Sequence, residues 1–389
     1  MDAERPSMRF WKVACGLVCF LILLSNIWTI SHWSESRVVY DDICYLRQAH
    51  LFQRFGLDGL NTDIARDDDH YLSSKLKEIG FAPWADPAEA PCHSLMPMTH
   101  RRVTQYPPGT GLLLALFPSG FQVKPLYVLA NVMVLGFVLL AISYVRTRGA
   151  ILLTGAFGCL AMYLMINPTK ASYSMAPTMV LCALAGLFTA RLFLEQRARK
   201  QILFAAVVGF LLGLSVNFRL PNLFLTAGYF LVFLGMLLRE RKAQAIWLGI
   251  SFGLACLVGM VPTLAANAIN AGSPLATTYA GVDLASPTLR YGLLLNYVRD
   301  MQFVLLVLAC GWTGWVLWRA RDLGLRWTAW TSAGNLIFNL AFFLSHPIFE
   351  PYYTVPLEML SLWSLLYASL LRPVAAVAEH GVVVRAAKA

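Results

Sequence analysis

Val13-Ala-Cys-Gly-Leu-Val-Cys-Phe-Leu-Ile-Leu-Leu-Ser-Asn-Ile-Trp-Thr-Ile30 carries no charge and is long enough to cross a bilayer. A short basic segment precedes it (Arg5, Arg9, Lys12), and no small-residue cleavage site follows. It therefore reads as a retained signal anchor with its N-terminus in the cytoplasm. Nine further runs of the same kind fall at roughly 125–145, 149–166, 175–194, 201–216, 220–238, 245–266, 301–318, 327–345 and 353–371. The expected fold class is an all-α polytopic membrane protein with about ten transmembrane helices.

Composition agrees. Of 389 residues, 58% are hydrophobic and 13% charged, and the mean hydropathy is +0.60. Soluble domains carry about twice that charge fraction. A β-barrel is excluded because the runs are continuous, not alternating. The net charge of +10 does not point to nucleic acid, because the cations sit in short clusters between apolar runs: Arg146/Arg148, Arg197/Arg199/Lys200, Arg239/Arg241/Lys242 and Arg319/Arg321/Arg326. That is the positive-inside pattern. It places both termini inside and leaves 32–124 and 267–300 as large extracytoplasmic loops. Residues 1–371 form one integral-membrane unit, and 372–389 a cytoplasmic tail.

The first loop holds 11 of the chain's 21 acidic residues. It opens with Arg37-Val-Val-Tyr40-Asp41-Asp42-Ile-Cys44-Tyr45-Leu-Arg47-Gln48, and Ile43 to Phe55 reads as a short amphipathic helix. Ile43, Leu46, Ala49 and Phe52 share one side, while Arg47, His50 and Arg54 fall elsewhere. Asp41 and Tyr45 are four apart and share a face. A carboxylate here suits a helix N-terminus; a pair beside a tyrosine also suits proton transfer. Asp67-Asp68-Asp69 reads as a solvated surface, since a hard-cation site needs more convergent oxygens than a run guarantees. The loop closes with Gln105-Tyr106-Pro107-Pro108-Gly109-Thr110-Gly111, followed by Leu112 to Phe117, too short to span.

Six of the eight cysteines (Cys15, Cys19, Cys159, Cys182, Cys256, Cys310) lie in apolar runs as packing residues. Cys44 and Cys92 share the first loop, where an extracytoplasmic location would allow a disulfide. No Cys/His spacing resembles a zinc site, so no metal ligands are assigned.

The acid pair followed by Tyr45, the Tyr-Pro-Pro-Gly element and two later patterns together resemble a known family. The later patterns are Asn267-Ala-Ile-Asn-Ala-Gly272-Ser273-Pro274-Leu-Ala-Thr-Thr-Tyr279 and Pro351-Tyr352-Tyr353-Thr-Val-Pro356. In order and in shared face they resemble the GT-C polyprenyl-phosphate-dependent glycosyltransferases. The nearest group is the bacterial branch related to protein O-mannosyltransferases and the lipid A aminoarabinose transferase. Two departures stand out: the second acid is Asp42 where Glu is common, and Tyr106 stands where the aminoarabinose transferases have Lys.

The resemblance implies an inverting sugar transfer at the outer face of a bacterial inner membrane. The donor would be a polyprenyl-phosphate sugar, and the acceptor a hydroxyl of a lipid, glycan or protein. Asp41 and Asp42 are then the catalytic candidates. Tyr45, Arg101, Arg102, Tyr106, Arg219, Tyr279, His346, Tyr352 and Tyr353 are the substrate-binding candidates. No redox or nucleotide cofactor is implied, because the lipid carries the activated sugar. Plain alternatives stand beside several of these: Arg219 as a snorkelling cation, His346 as a helix-end polar residue, Tyr352 and Tyr353 as interfacial aromatics. A lipid or lipid-linked sugar transporter is the competing function. It would place ionisable groups near mid-membrane, where Glu358 is the main example.

Overall fold

The structure, a computed structural model, describes residues 6–34, 40–165, 172–240, 243–279, 291–300, 302–345 and 351–372. Its α-helices are α1 (Pro6–Ser31), α2 (Tyr40–Phe55), α3 (Tyr71–Glu78), α4 (Gly109–Leu114), α5 (Val123–Tyr144), α6 (Arg148–Leu164), α7 (Met175–Leu194), α8 (Ala198–Val216), α9 (Ala227–Glu240), α10 (Ala243–Gly259), α11 (Val261–Ala271), α12 (Tyr291–Arg299), α13 (Gln302–Arg319), α14 (Leu323–Ser345) and α15 (Val355–Leu370). The one sheet among the described residues is an antiparallel hairpin, β1 (His93–Leu95) with β2 (Arg102–Thr104), His93 facing Thr104. The chain is predominantly helical, as expected, and this short hairpin lies in the first loop.

A helix stands at each of the ten apolar runs, as it must where lipid offers the backbone no hydrogen bonds. Among the described residues, six segments are long and apolar enough to cross a membrane: Ser7–Ser31, Val123–Tyr144, Met175–Leu194, Ala198–Val216, Leu220–Arg239 and Gln302–Arg319. The pair α10–α11, bent by 53°, is a seventh if taken as one span. Helices α6 and α15 are apolar but only 17 and 16 residues long. Helix α14 has 23 residues but carries Thr328, Thr331, Ser332, Asn335 and Asn339, all buried. Length and apolarity thus support fewer spans than the expected ten. They remain compatible with a multi-pass membrane protein.

Small residues let the helices approach closely, the usual device where lipid removes the hydrophobic drive between them. A Cβ on Gly209 or Gly213 of α8 would collide with the carbonyls of Phe252 and Cys256 on α10. Gly228 of α9 meets Thr331 and Asn335 of α14 in the same way. Some polar side chains join helices: Asn26 Nδ2 donates to Asn131 Oδ1 and to the Met162 carbonyl, both at 2.8 Å. Asn335 Oδ1 accepts the Gly228 N–H at 2.7 Å. Helix α15 is buried from Val355 to Ala368, Glu358 included, and so forms the centre of the bundle. Cys310, expected to pack, is exposed instead on α13.

The first loop folds over one end of the bundle and is fastened to the later loop. Asn270 of α11 donates to the Leu60 carbonyl at 2.8 Å and accepts the Thr62 N–H at 2.9 Å. Thr99 Oγ1 donates to the Asn270 carbonyl at 2.7 Å. Gly272, in the left-handed conformation (φ 85°), ends α11 where a Cβ would be strained.

Candidate functional site

Asp41 and Asp42 occupy the first turn of α2, where the helix dipole favours carboxylates. The Asp41 side chain lies outside the described residues. Asp42 is fully buried, and its Oδ1 accepts the Tyr173 N–H at 3.0 Å. This bond joins the acid-bearing helix to the segment leading into α7.

Tyr45, one turn further along α2, is buried between elements of four different origins. Its ring stacks on Tyr106 at 4.9 Å and 27°. Tyr106 in turn meets Tyr279 edge-on at 6.2 Å. Burial pushes the Tyr45 phenol up to about 12; hydrogen bonding with Ser174 and Ser172 and the Arg219 charge oppose that rise. The two serine hydroxyls are 3.0 Å apart, and Tyr127 Oη approaches the Ser172 carbonyl at 3.5 Å.

Arg219 follows the end of α8 and is 8% exposed. Its guanidinium carbon sits 5.0 Å from the Tyr352 ring centroid and 4.9 Å from that of Tyr353, cation–π distances for both. Its Nη1 is buried without a hydrogen-bond partner. A snorkelling arginine would put its head in water; this one keeps it inside, with donors to spare. A buried guanidinium with an unfilled donor is chemically suited to an anionic oxygen.

The Tyr-Pro-Pro-Gly element is a structural joint. Gly109 N–H donates to the Asn217 carbonyl at 2.7 Å, and Gln48 Nε2 donates to the Tyr106 carbonyl at 2.8 Å. Asn217 Oδ1 is itself held by Thr263, through N–H at 2.9 Å and Oγ1 at 2.8 Å. A Cβ on Gly109 would lie 2.6 Å from the Asn217 oxygen, and one on Gly111 would collide with Gln48. Gly109→Ala should therefore push α4 off the end of α8 at about 1–3 kcal/mol, the usual cost of overpacking. The expected result is a lower melting temperature and weaker Tyr45–Tyr106 contact. An unchanged melting temperature in the same detergent would show that the joint yields freely.

Arg101 and Arg102 lie elsewhere. Arg101 Nη1 donates to the Ile269 carbonyl at 3.3 Å and its Nε is 3.8 Å from Asp63. Arg102 Nη1 donates to the Ala88 carbonyl at 2.7 Å. The structure thus brings together Asp42, Tyr45, Tyr106, Tyr279, Arg219, Tyr352 and Tyr353, and holds Arg101 and Arg102 on loop contacts. His346 lies outside the described residues. Sequence reasoning missed Tyr127, Ser172, Tyr173 and Ser174. Serines just before a helix were the available signal for two of them; a lone tyrosine inside an apolar span gave none.

Beneath the acid pair lies a second buried network, also unexpected. Arg47, assigned to the polar side of α2, is fully buried. Its Nη1 donates to the Thr62 carbonyl at 2.8 Å and to His93 Nε2 at 3.2 Å; its Nη2 donates to the Asp63 carbonyl at 2.8 Å. Burial pulls the guanidinium down to about 10, with Asp67 and Asp63 opposing, so it stays charged. His93 Nδ1 donates to the Pro91 carbonyl at 2.7 Å; burial, then the Arg47 charge, drive its pKa down to about 3.

Cys44 and Cys92 are joined in a disulfide that ties α2 to this hairpin. Their sulfurs and a His93 nitrogen lie within 4.8 Å of one another, yet both ring nitrogens of His93 already have partners. The acidic run lies at the surface at Asp68 and Asp69 and is also paired: Asp67 accepts the Leu72 N–H of α3 (2.9 Å), Asp68 meets Arg54 (2.6 Å) and Asp69 meets His50 (2.6 Å).

This network fixes the sign of an acid effect. His93 is neutral in the folded loop down to about pH 3, whereas an unfolded histidine takes a proton below about 6.5. Stability is therefore complete above pH 6.5 and falls as pH drops through it, by about 2 kcal/mol at pH 5. Hydrogen exchange of the α2 amides should accelerate accordingly, and much less in His93→Asn. Exchange that ignores pH in both proteins would remove this account. No family model matches the chain, and neither does any curated protein or solved structure.

Proposed function

We propose that the protein is a GT-C-like membrane glycosyltransferase that moves a sugar from a polyprenyl-phosphate donor to a hydroxyl of an envelope acceptor. It does so on the outer face of a bacterial inner membrane, in the ten-span arrangement read from the basic clusters. The observation that carries this reading is the convergence of the buried Asp42, Tyr45 and the half-satisfied Arg219 with Tyr352 and Tyr353 at the loop end of the bundle. These come from three sequence regions, two of which, the acid pair with Tyr45 and the Tyr352–Tyr353 element, the family resemblance also singles out.

In the reaction, the acceptor hydroxyl attacks the anomeric carbon and gives its proton to the Asp41 carboxylate. A new C–O bond forms as the bond from that carbon to the phosphate oxygen breaks, with inversion. The polyprenyl phosphate leaves with the electron pair. An ordinary aspartate, with a pKa of about 3.9, is a weak base; a like-charged neighbour raises it. Asp42, anchored by the Tyr173 N–H, supplies that neighbour. The phosphate's growing charge falls to Arg219.

Cells lacking the protein should accumulate a lipid-linked sugar and lose it from an envelope glycan, lipid or protein. Identical lipid-linked sugar pools and envelope profiles with and without the protein would rule the reading out. A transporter is the second reading, favoured by the 53° break between α10 and α11 and by the buried Glu358. It expects Glu358→Gln, not Asp41→Asn, to abolish function.

A further inference from the structure

Glu358 lies in the first turn of α15 and is 0% exposed. Neither of its carboxylate oxygens has a full hydrogen-bond partner; Thr354, one turn earlier, turns its hydroxyl toward them without completing one. Among the described residues no lysine, arginine or histidine pairs with it. The titratable groups within its electrostatic reach are Asp300, just before α13, and Cys310 on α13. A buried carboxylate without a countercharge is among the costliest groups a fold can hold. Its polar neighbours add oxygens and no cation. Ser361, three residues on and so on the same side of the helix, is 1% exposed, and its Oγ has no partner. Ser364 of the same helix donates to the Leu360 carbonyl at 2.6 Å, as helical serines commonly do. Ser361 has the same option and does not take it. At the start of α13, Gln302 Oε1 is buried without a partner, and the Gln302 N–H donates to Asp300 Oδ1 at 2.9 Å. Helices α13 and α15 pack together, and Asp300 within reach of Glu358 puts the start of α13 at this end of the contact.

Carboxylate, hydroxyl and amide oxygens gathered without a cation share one complement, a hard metal ion. One fully buried carboxylate is neutralised by one positive charge, whereas a divalent ion would leave charge over in an apolar interior. We propose that Glu358 binds a monovalent metal cation, sodium, between α13 and α15, with Ser361 and Gln302 supplying further oxygens. Thr354, Glu358 and Ser361 stand at i, i+4 and i+7, one face of α15, so three of the oxygen-bearing groups come from a single helix. The ion would lie about one turn from Tyr352 and Tyr353 and fasten the start of the helix that follows the Arg219 stack. The inference is independent of the proposed transfer reaction, and it does not require the ion to be carried across the membrane.

Thermal melting of the full chain in detergent tests it, with sodium chloride titrated against choline chloride at one pH and constant ionic strength. Sodium should raise the wild-type melting temperature saturably, because a ligand bound by the folded state stabilises it by mass action. Glu358→Gln, neutral and of the same shape, should lose that response entirely. Ser361→Ala should raise the half-saturating sodium concentration by about tenfold or more, as loss of supporting groups does at metal sites. Asp322→Asn, at the far end of α14, keeps the cap on Leu325 and should respond like wild type. A second measurement on wild type covers the case in which Glu358→Gln does not fold. Sodium, and not choline, should protect Glu358 from dicyclohexylcarbodiimide, with the modified peptide mapped by mass spectrometry. Equal labelling in the two salts would overturn the proposal, as would equal sodium responses of wild type and Glu358→Gln. A rise produced by calcium and not by sodium would overturn the monovalent assignment. A sodium-blind wild type with an infrared band of a protonated carboxyl, absent from Glu358→Gln, would overturn it in favour of a proton.

Discussion

Asp41→Asn is expected to yield a protein that is well expressed, correctly inserted and nearly inactive. Asparagine caps helices about as well as aspartate, so α2 should begin where it does now. What disappears is proton affinity, and loss of a general base typically costs about 10²–10⁴ in rate. Asp42→Asn should be milder, for a reason visible in the structure. The Tyr173 N–H is accepted by Asp42 Oδ1, and an asparagine carbonyl can accept it too, so only the charge is lost. Asp42→Ala breaks that joint and should be worse than Asp42→Asn. The assay is transfer from a defined polyprenyl-phosphate sugar in proteoliposomes. A folded Asp41→Asn protein with near-normal turnover would return Asp41 to helix capping.

Arg219→Ala should raise the donor KM or lower kcat/KM by about 10–100-fold, the range spanned by hydrogen bonds to charged groups. Arg219→Lys keeps the charge but loses the planar fork and its stacking, and should recover only part of the activity. Arg101→Ala is the control: it removes an equal charge from a site occupied by Asp63 and the Ile269 carbonyl. If Arg219→Ala and Arg101→Ala had equal, small effects, the stack on Tyr352 and Tyr353 would be packing alone. Melting temperatures separate that outcome from unfolding, because a lost cation–π pair affects stability whether or not donor is present.

The helices were legible because lipid admits few alternatives: an uncharged run of the right length must satisfy its own backbone. Legibility failed where charge was buried. Arg47 has the spacing of a solvent-facing residue on an amphipathic helix, and nothing local announces that Thr62, Asp63 and His93 will surround it. The partners are 15 to 46 residues away, beyond any helical period. Arg219 was visible as a cation between apolar runs, but its two tyrosine neighbours come from the far end of the chain. The Tyr-Pro-Pro-Gly element was picked out by resemblance as part of a site. Its geometry adds a mechanical reason for the glycines: Gly109 and Gly111 are where α4 touches Asn217 and Gln48 too closely for any side chain.

The fastening of Thr62 by Asn270 has a consequence for how the chain is made. The two residues are 208 positions apart, whereas Cys44 and Cys92 are separated by 48. At a synthesis rate of about 5–20 residues per second, Asn270 leaves the ribosome roughly 10–40 s after Thr62. The first loop can close its own disulfide early, yet it must wait for α11 before its far edge has anything to hold. For that interval the nascent protein holds Arg47 on partners from its own loop, while Thr62, one of those partners, still lacks Asn270. The order of emergence makes the loop a late-finishing part of an early-made segment, and places it among the regions most dependent on timely insertion of the helices that follow.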